Sequence, residues 1–192
     1  MIKDLVLEAR SYRNFRGDCP ISRETLESLV DVARFTSSGA NKQPLKYYLS
    51  SDPETNEKVF SCTRWAGLLK DVKLPYAGNE PTAYIVICCD TDVVKNHNIY
   101  DIDVGIVAEA MMLAACEIGL SGCMLGAIVS EEVRAALDLA PNLLPKLILA
   151  LGKAAEEVVL TDLPGSGSTA YYREGDTQYV PKRSLPELII NK

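Results

Sequence analysis

The chain has 192 residues, 47% of them hydrophobic, which is enough to bury one sizeable core. Its formal net charge of -6 provides no cationic field, so we do not expect DNA or RNA as a partner. Charges at positions 3, 4, 8 and 10 leave no apolar segment for an export signal, and Glu109 and Glu117 interrupt the most apolar stretch, 104–129. We therefore expect a soluble, cytoplasmic protein that does not enter a membrane.

In chain order, apolar periodicity predicts helices mixed with strands. The predicted helices cover 2–10, Ser22 to about Phe35, 53–70, 100–120 and Ser130 to about Leu139, and the predicted strands cover 45–50, 82–89, 122–129 and 147–151. Ser22 and Ser130 are predicted N-caps. The helix over 100–120 is apolar around most of its surface, which places it inside a core or between subunits. This mixture of elements predicts an α+β or α/β domain.

The composition changes after Gly152. Residues 160–180 are rich in glycine and polar side chains, which predicts a surface insertion with a small hairpin around Gly175 and Asp176. Residues 181–192 regain apolar side chains and are predicted to form a C-terminal arm that packs on the body or on a partner chain. We expect the whole chain, 1–192, to form one domain.

The sequence contains few side chains suited to metal binding or to nucleophilic catalysis. The six cysteines include no C-x-x-C pair and three lie in apolar segments, so we expect free thiols rather than disulfides or a metal site. His97 is the only histidine and lies in a polar turn, which excludes a multi-histidine metal site and disfavours a histidine-based triad. No Walker loop is present, and the glycine-serine run 165–168 follows no strand. We predict neither a catalytic side chain nor a metal ligand.

The segment Arg10-Ser11-Tyr12-Arg13 follows the first predicted helix. Two guanidinium groups and a hydroxyl within four residues offer charge-assisted donors that suit the oxygens of a phosphate. The alternative is that both arginines are solvated charges at a helix C-terminus, where cations are favoured. For this tetrapeptide taken alone, the solvated alternative is the stronger one, because short basic motifs are common.

The loop Ser37 to Pro44 changes that balance. Asn41 and Gln43 can each donate and accept hydrogen bonds, which suits the polar edge of a ring system, and Gly39 allows close approach of the backbone. The alternative is an ordinary turn between a helix and a strand. Together with the two arginines, the loop favours a ligand site.

The order of these motifs resembles the nitroreductase family of FMN-dependent flavoproteins, and the likeness covers nearly the whole chain. The matching elements are Arg10-Ser11-Tyr12-Arg13, Ser38-Gly-Ala-Asn41-Lys-Gln43-Pro44, the helix end Leu113 to Leu120, the strand Cys123-Met-Leu-Gly126 and the basic finish Pro181-Lys182-Arg183-Ser-Leu185. The resemblance implies a nitroreductase-like α+β fold with a central mixed sheet flanked by helices, in an intertwined homodimer with FMN at the interface.

The resemblance also implies the roles of particular residues. The phosphate would be held by Arg10, Ser11 and Arg13, with Lys182 or Arg183. The ribityl chain and the ring would be lined by Ser38, Asn41 and Gln43, with the last two as candidates to reach across from the partner. Backbone contacts near the ring would come from the strand that contains Leu125 and Gly126.

The implied reaction is electron transfer from NADH or NADPH, through FMN, to an electron-poor acceptor such as a nitroaromatic or a quinone. The same scaffold also serves dehalogenation and enone reduction, and a flavin-binding or sensor protein without turnover is a further alternative. Leu45 stands where the family often has an aromatic residue, and 70–75 lacks an expected tryptophan, which weakens inference about the substrate more than inference about FMN.

Overall fold

The computed structural model describes residues 1–165 and 167–191. Its helices are α1 Ile2–Glu8, α2 Arg23–Ala33, α3 Pro53–Ser61, α4 Asp101–Glu117, α5 Ser130–Ala136 and α6 Leu185–Leu188, with single 3-10 turns at Gly39–Asn41 and His97–Tyr100. Its strands are β1 Leu45–Ser50, β2 Ala83–Asp90, β3 Ser121–Leu125, β4 Leu143–Gly152, β5 Glu157–Asp162, β6 Tyr172–Glu174 and β7 Thr177–Lys182. Among the described residues, no helix is long and apolar enough to span a bilayer.

Two sheets form the framework. The central sheet has the order β1-β2-β4-β3, and the smaller sheet has the order β5-β7-β6. The α+β class predicted from the sequence is confirmed, but the central sheet is antiparallel throughout rather than mixed, because β2 runs against β1 and β4, and β3 also runs against β4. Parallel pairing is found in the smaller sheet, between β5 and β7.

The central sheet separates two apolar clusters. Side chains of β2 alternate between its faces, so Ile85 and Ile87 pack with α2 and α4, whereas Tyr84 and Val86 pack on the side of α3 and α5. Helix α4 buries one stripe, which includes Met111, against the first of these faces. The expectation that α4 contributes to a core is confirmed for this stripe.

Helix boundaries follow local hydrogen bonds. Ser22 caps α2 as predicted, because its Oγ accepts from the amide of Thr25. The prediction of a helix over 53–70 is wrong beyond Ser61, where the amides of the next residues bond only three positions back. The prediction that Ser130 is an N-cap is also wrong: Val129 holds that position, and the hydroxyl of Ser130 donates to the carbonyl of Pro145 at 2.7 Å.

The boundaries of two strands differ from the sequence prediction. β3 ends at Leu125 instead of residue 129. β4 begins at Leu143 instead of residue 147, since its pairing with β2 shifts between Ile87 and Cys88, where Pro145 pairs. A proline is compatible with a strand at such an irregularity because no ladder donor is required of it there.

The C-terminal region is more regular than predicted. The segment 160–180 contributes to a three-stranded sheet, and the hairpin predicted around Gly175 and Asp176 is confirmed between β6 and β7. The arm beyond β7 does not pack on the body: Leu185 and Ile190 are 69% and 99% exposed. Packing of this arm on a partner chain stays a prediction. All six cysteines are free, as expected, with Cys88, Cys89 and Cys123 buried and the other three partly buried.

Candidate functional site

A cavity of about 370 Å³ lies between the end of α1, helix α4, strand β3 and the C-terminal strands. We call it the cationic cavity. Its lining comprises Ala9, Arg10, Ser11, Arg13, Glu109, Met112, Met124, Tyr171, Val180 and Lys182. The structure thus brings four of the predicted phosphate ligands to one place, from segments at the two ends of the chain.

The segment 10–13 is tied to β3 through Gly122. Ser11 forms a parallel bridge with Gly122, and the amide of Tyr12 donates to the carbonyl of Gly122 at 3.0 Å. A Cβ at Gly122 would lie 2.6 Å from the carbonyl oxygen of Ala150 and 2.9 Å from Met112 Cε, so only glycine fits between the strands. This close approach fixes where the segment sits against the sheet.

The two arginines are held in place by acceptors other than carboxylates. Arg10 donates to the carbonyl of Val6 at 2.6 Å, and Arg13 donates to the carbonyl of Ser11 at 3.1 Å. The guanidinium of Arg13 also lies 4.6 Å from the centre of the Tyr171 ring, a distance typical of a cation–π contact. Neither arginine forms an ion pair within residues 1–165 and 167–191. Their charges are therefore free to attract an anion, although Glu109 contributes one carboxylate to the same lining.

A buried polar network lies behind the cluster, and sequence reasoning missed it. The carboxylate of Glu156 accepts from the amides of Arg13 and Asn14 and from the side chain of Asn14, and it pairs with the guanidinium of Arg173. Only 1% of the Glu156 side chain and 4% of the Arg173 side chain are exposed. Glu156 lies 143 positions after Arg13, so no local pattern could have revealed the contact.

The predicted polar loop lines a different cavity, of about 220 Å³, which we call the loop cavity. Asp103, buried in the first turn of α4, accepts from the hydroxyl of Ser38 at 2.7 Å and from the amide of Gly39 at 3.1 Å. The hydroxyl of Ser38 in turn accepts from the amide of Gln43 at 3.0 Å. Burial, with a smaller contribution from the nearby charge of Asp103, raises the pKa of Tyr47 in the same lining to about 12. The role of Asp103 was also missed from the sequence.

The loop backbone adopts an uncommon conformation. Ala40, Asn41 and Gln43 all have positive φ angles, of 49°, 53° and 49°. Such angles are unfavourable for residues with a Cβ, and they persist where surrounding contacts impose them, often at functional sites. The side chains of Asn41 and Gln43 are exposed and bond to each other at 3.1 Å. They are therefore directed outward and are open to a contact from outside the chain.

The two cavities share no lining residue. Both border α4, where Val107 lines the loop cavity and Glu109 lines the cationic cavity, two positions later. Two positions correspond to about 3 Å along the helix axis but about 200° around it, so the cavities lie on opposite sides of α4. Within one chain, the structure does not bring Ser38, Asn41 and Gln43 to the arginine cluster.

The remaining predicted residues divide between these regions and the surface. Leu125 is buried at the end of β3, and the exposed Gly126 follows it. Both come directly after Met124, which lines the cationic cavity. Lys182 lines the cationic cavity. Arg183 is absent from that lining and lies 3.5 Å from Glu187 of α6.

Comparisons with known proteins agree with this architecture. The model of the nitroreductase family matches residues 6–153. A protein of Methanothermobacter thermautotrophicus, assigned as an NADH dehydrogenase/NAD(P)H nitroreductase, is 25% identical over 82% of this chain and 82% of its own length. The crystal structure of a nitroreductase family protein from Clostridium difficile is 27% identical with a TM-score of 0.65, covering 81% of this chain and 85% of the other.

One solved structure covers the C-terminal strands as well. It is an FMN complex of a protein from Desulfovibrio desulfuricans, assigned as a nitroreductase, with a TM-score of 0.73 and 20% identity over 100% of this chain and 96% of the other. At that identity the likeness concerns the fold.

Proposed function

The chain belongs to the nitroreductase family, and on that basis we propose that it is an FMN-dependent oxidoreductase that transfers electrons from NADH or NADPH to a small electron-poor acceptor. The observation that carries the proposal is the convergence of Arg10, Ser11, Arg13 and Lys182 on the cationic cavity. The names and bound FMN of similar proteins point in the same direction.

The donors of the cationic cavity fit a flavin phosphate. Two guanidinium groups, one ammonium group and one hydroxyl offer forked and charge-assisted hydrogen bonds, which phosphate oxygens accept well. We assign the phosphate to Arg10, Ser11, Arg13 and Lys182. Arg183 is a poorer candidate because its guanidinium lies beside Glu187.

The loop cavity supplies the other half of the proposed site from a second copy of the chain. Ser38 and Gln43 cannot serve the same ligand as the arginine cluster within one chain, because their cavities lie on opposite sides of α4 and share no lining residue. Exposed apolar side chains surround both regions, including Leu7 on α1, Ile102 on α4 and Leu185 on the C-terminal arm. Unpartnered apolar surface of this kind is typical of a dimer interface. We therefore propose a homodimer in which Asn41 and Gln43 reach the flavin held by the partner.

In this assignment the protein contributes binding and orientation rather than an acid, a base or a nucleophile. FMN, when bound, supplies hydride and electron transfer chemistry. The arginines fix its phosphate, and the amide side chains of Asn41 and Gln43 can donate to and accept from a polar ring edge. A nitroaromatic or a quinone fits as the acceptor class because either one accepts electrons without a protein-derived catalyst.

Replacing Arg13 by alanine tests the phosphate assignment. Loss of one charge-assisted partner is expected to weaken FMN binding on the order of 10- to 100-fold, measured by quenching of flavin fluorescence. The matched control is Arg16→Ala, which removes an exposed arginine that pairs with Asp18. Equal FMN affinity of Arg13→Ala and the wild type would show that the phosphate binds elsewhere.

Turnover is tested separately on the FMN-loaded protein. Anaerobic NADH or NADPH should bleach the flavin absorbance, and addition of a quinone or a nitroaromatic should restore it. A protein that binds FMN tightly but is bleached by neither nucleotide would be a flavin-binding protein without this activity.

A further inference from the structure

The cationic cavity is assembled from two parts of the chain that are far apart in sequence. Arg10, Ser11 and Arg13 come from the segment after α1. Tyr171 immediately precedes β6, and Val180 and Lys182 lie in β7. We call residues 171–182 the C-terminal hairpin. The cavity therefore has all of its donors only when this hairpin lies next to the segment 10–13.

Glu156 connects these two parts with both of its carboxylate oxygens. Oε1 accepts from the amides of Arg13 and Asn14, the latter at 3.2 Å. Oε2 accepts from the side chain of Asn14 at 3.0 Å and pairs with the guanidinium of Arg173 on β6. One buried carboxylate thus joins the backbone of the arginine segment to the C-terminal hairpin.

Arg173 is itself fixed within the hairpin. Its Nη2 donates to the carbonyl of Asp176 in the turn at 3.1 Å, and its Nη1 lies 3.5 Å from Oε1 of Gln178, which is fully buried on β7. The side chain therefore ties the hairpin turn to Glu156. An ion pair buried to this degree is weak evidence for stability, since desolvation of both charges offsets their attraction. The location of the ion pair, between the segment 10–13 and the C-terminal hairpin, suits a role in positioning the anion site.

We propose that the Glu156–Arg173 pair positions the phosphate donors. Glu156 fixes the position of the backbone at Arg13, and its contact with Arg173 holds the C-terminal hairpin, which carries Tyr171 and Lys182, against the segment 10–13. This proposal rests on the assignment of the cationic cavity to a flavin phosphate. Glu156 and Arg173 are positioning residues: they contact the donors and the elements that carry them, and they are absent from the lining of the cavity.

The discriminating measurement compares FMN with riboflavin, which differs only in lacking the phosphate. Glu156→Gln keeps the shape of the side chain but replaces an acceptor oxygen with a donor NH₂ group and removes the charge opposite Arg173. FMN affinity of this variant is expected to fall on the order of tenfold, while riboflavin affinity changes by less than about twofold. A merely structural defect would weaken both flavins equally, and that result would overturn the proposal.

Two further variants sharpen the comparison. Arg173→Lys retains the cation and is expected to keep more of the preference for FMN over riboflavin than Arg173→Gln does. Glu27→Gln is the matched control, since Glu27 pairs with Arg23 on the exposed face of α2 and should leave both affinities unchanged. Equal preferences in Arg173→Lys and Arg173→Gln would contradict a role for the charge.

Failure of the proposed function can be told apart from failure of this inference. A wild-type protein that binds both flavins equally, or binds neither, has no phosphate site in the cationic cavity, and both proposals fall. A wild-type protein that prefers FMN, with a Glu156→Gln variant that keeps the same preference, refutes only the positioning role.

A measurement on the wild type covers the case in which the variants do not fold. Binding of FMN should slow amide hydrogen exchange in β6 and β7 and at Arg13 and Asn14, and riboflavin should slow it less, because the phosphate donors are coupled to the hairpin through Glu156. Identical exchange in the hairpin with FMN, with riboflavin and without flavin would overturn the proposal.

Discussion

Replacing Asp103 by alanine should detach the polar loop from α4. In the native protein the carboxylate of Asp103 accepts from the hydroxyl of Ser38 at 2.7 Å and from the amide of Gly39 at 3.1 Å. Hydrogen bonds to a charged group contribute about 1.5–3 kcal/mol each, and the exposed amide of Gly39 can exchange its bond for one to water. We therefore expect the free energy of unfolding to fall by about 2–4 kcal/mol, less than the sum of two full contributions.

Urea denaturation followed by circular dichroism measures this loss. Asp103→Asn should lose less, since the amide keeps one acceptor oxygen and the hydroxyl of Ser38 can rotate to accept from its NH₂ group. The matched control is Asp101→Ala in the same helical turn, where an exposed carboxylate pairs with Lys146 and a loss of less than about 1 kcal/mol is expected. If Asp103→Ala unfolds at the same urea concentration as Asp101→Ala, Asp103 does not hold the loop.

Other parts of the structure make further predictions. Gly122→Ala places a Cβ 2.6 Å from the carbonyl oxygen of Ala150, so its urea midpoint should fall with a loss of about 1–3 kcal/mol, and an unchanged midpoint would contradict the close approach. Tyr84→Phe removes a buried hydroxyl that has no partner among the described residues, so thermal unfolding should shift upward by the equivalent of up to about 1 kcal/mol rather than downward. Burial raises the pKa of the Cys88 thiol to about 12, so at pH 8 iodoacetamide should label this residue, as read by peptide mass spectrometry, only after unfolding.

The pKa of Cys88 also gives a sign for the pH dependence of stability. An unfolded cysteine ionises near pH 8.5, whereas the folded thiol keeps its proton up to about pH 12. The folded state therefore binds more protons in this interval, and the contribution of this thiol to the free energy of unfolding should decrease as the pH rises above about 8.5. Cys88→Ala should show a weaker decrease in the same interval.

Elements defined by local signals could be predicted from the sequence. Helix α2 begins where Ser22 offers a cap, and β2 contains the run Tyr84-Ile-Val-Ile87, whose residue types have high strand propensity. The start of β4 was mispredicted because it depends on pairing with β2, a segment distant in sequence. Pro145 normally ends a strand, yet it lies within β4 because the register shifts opposite Cys88.

Some residues of the candidate site could also be predicted from local sequence, whereas others could not. Arg10 and Ser38 could be selected because their neighbours in sequence carry matching chemistry. Glu156 and Asp103 could not, since each acts on a segment more than 60 positions away and lies in a stretch with no motif of its own. A carboxylate looks like any surface charge in a sequence until its burial is known.

The contact between Arg13 and Glu156 bears on how the protein is made. During synthesis the arginine segment leaves the ribosome long before residue 156 has been added, so its amides have no acceptor in the nascent chain. Arg173 follows later still. The cationic cavity is therefore completed only after Lys182 has been translated, and a chain terminated before this residue is expected to lack part of its lining.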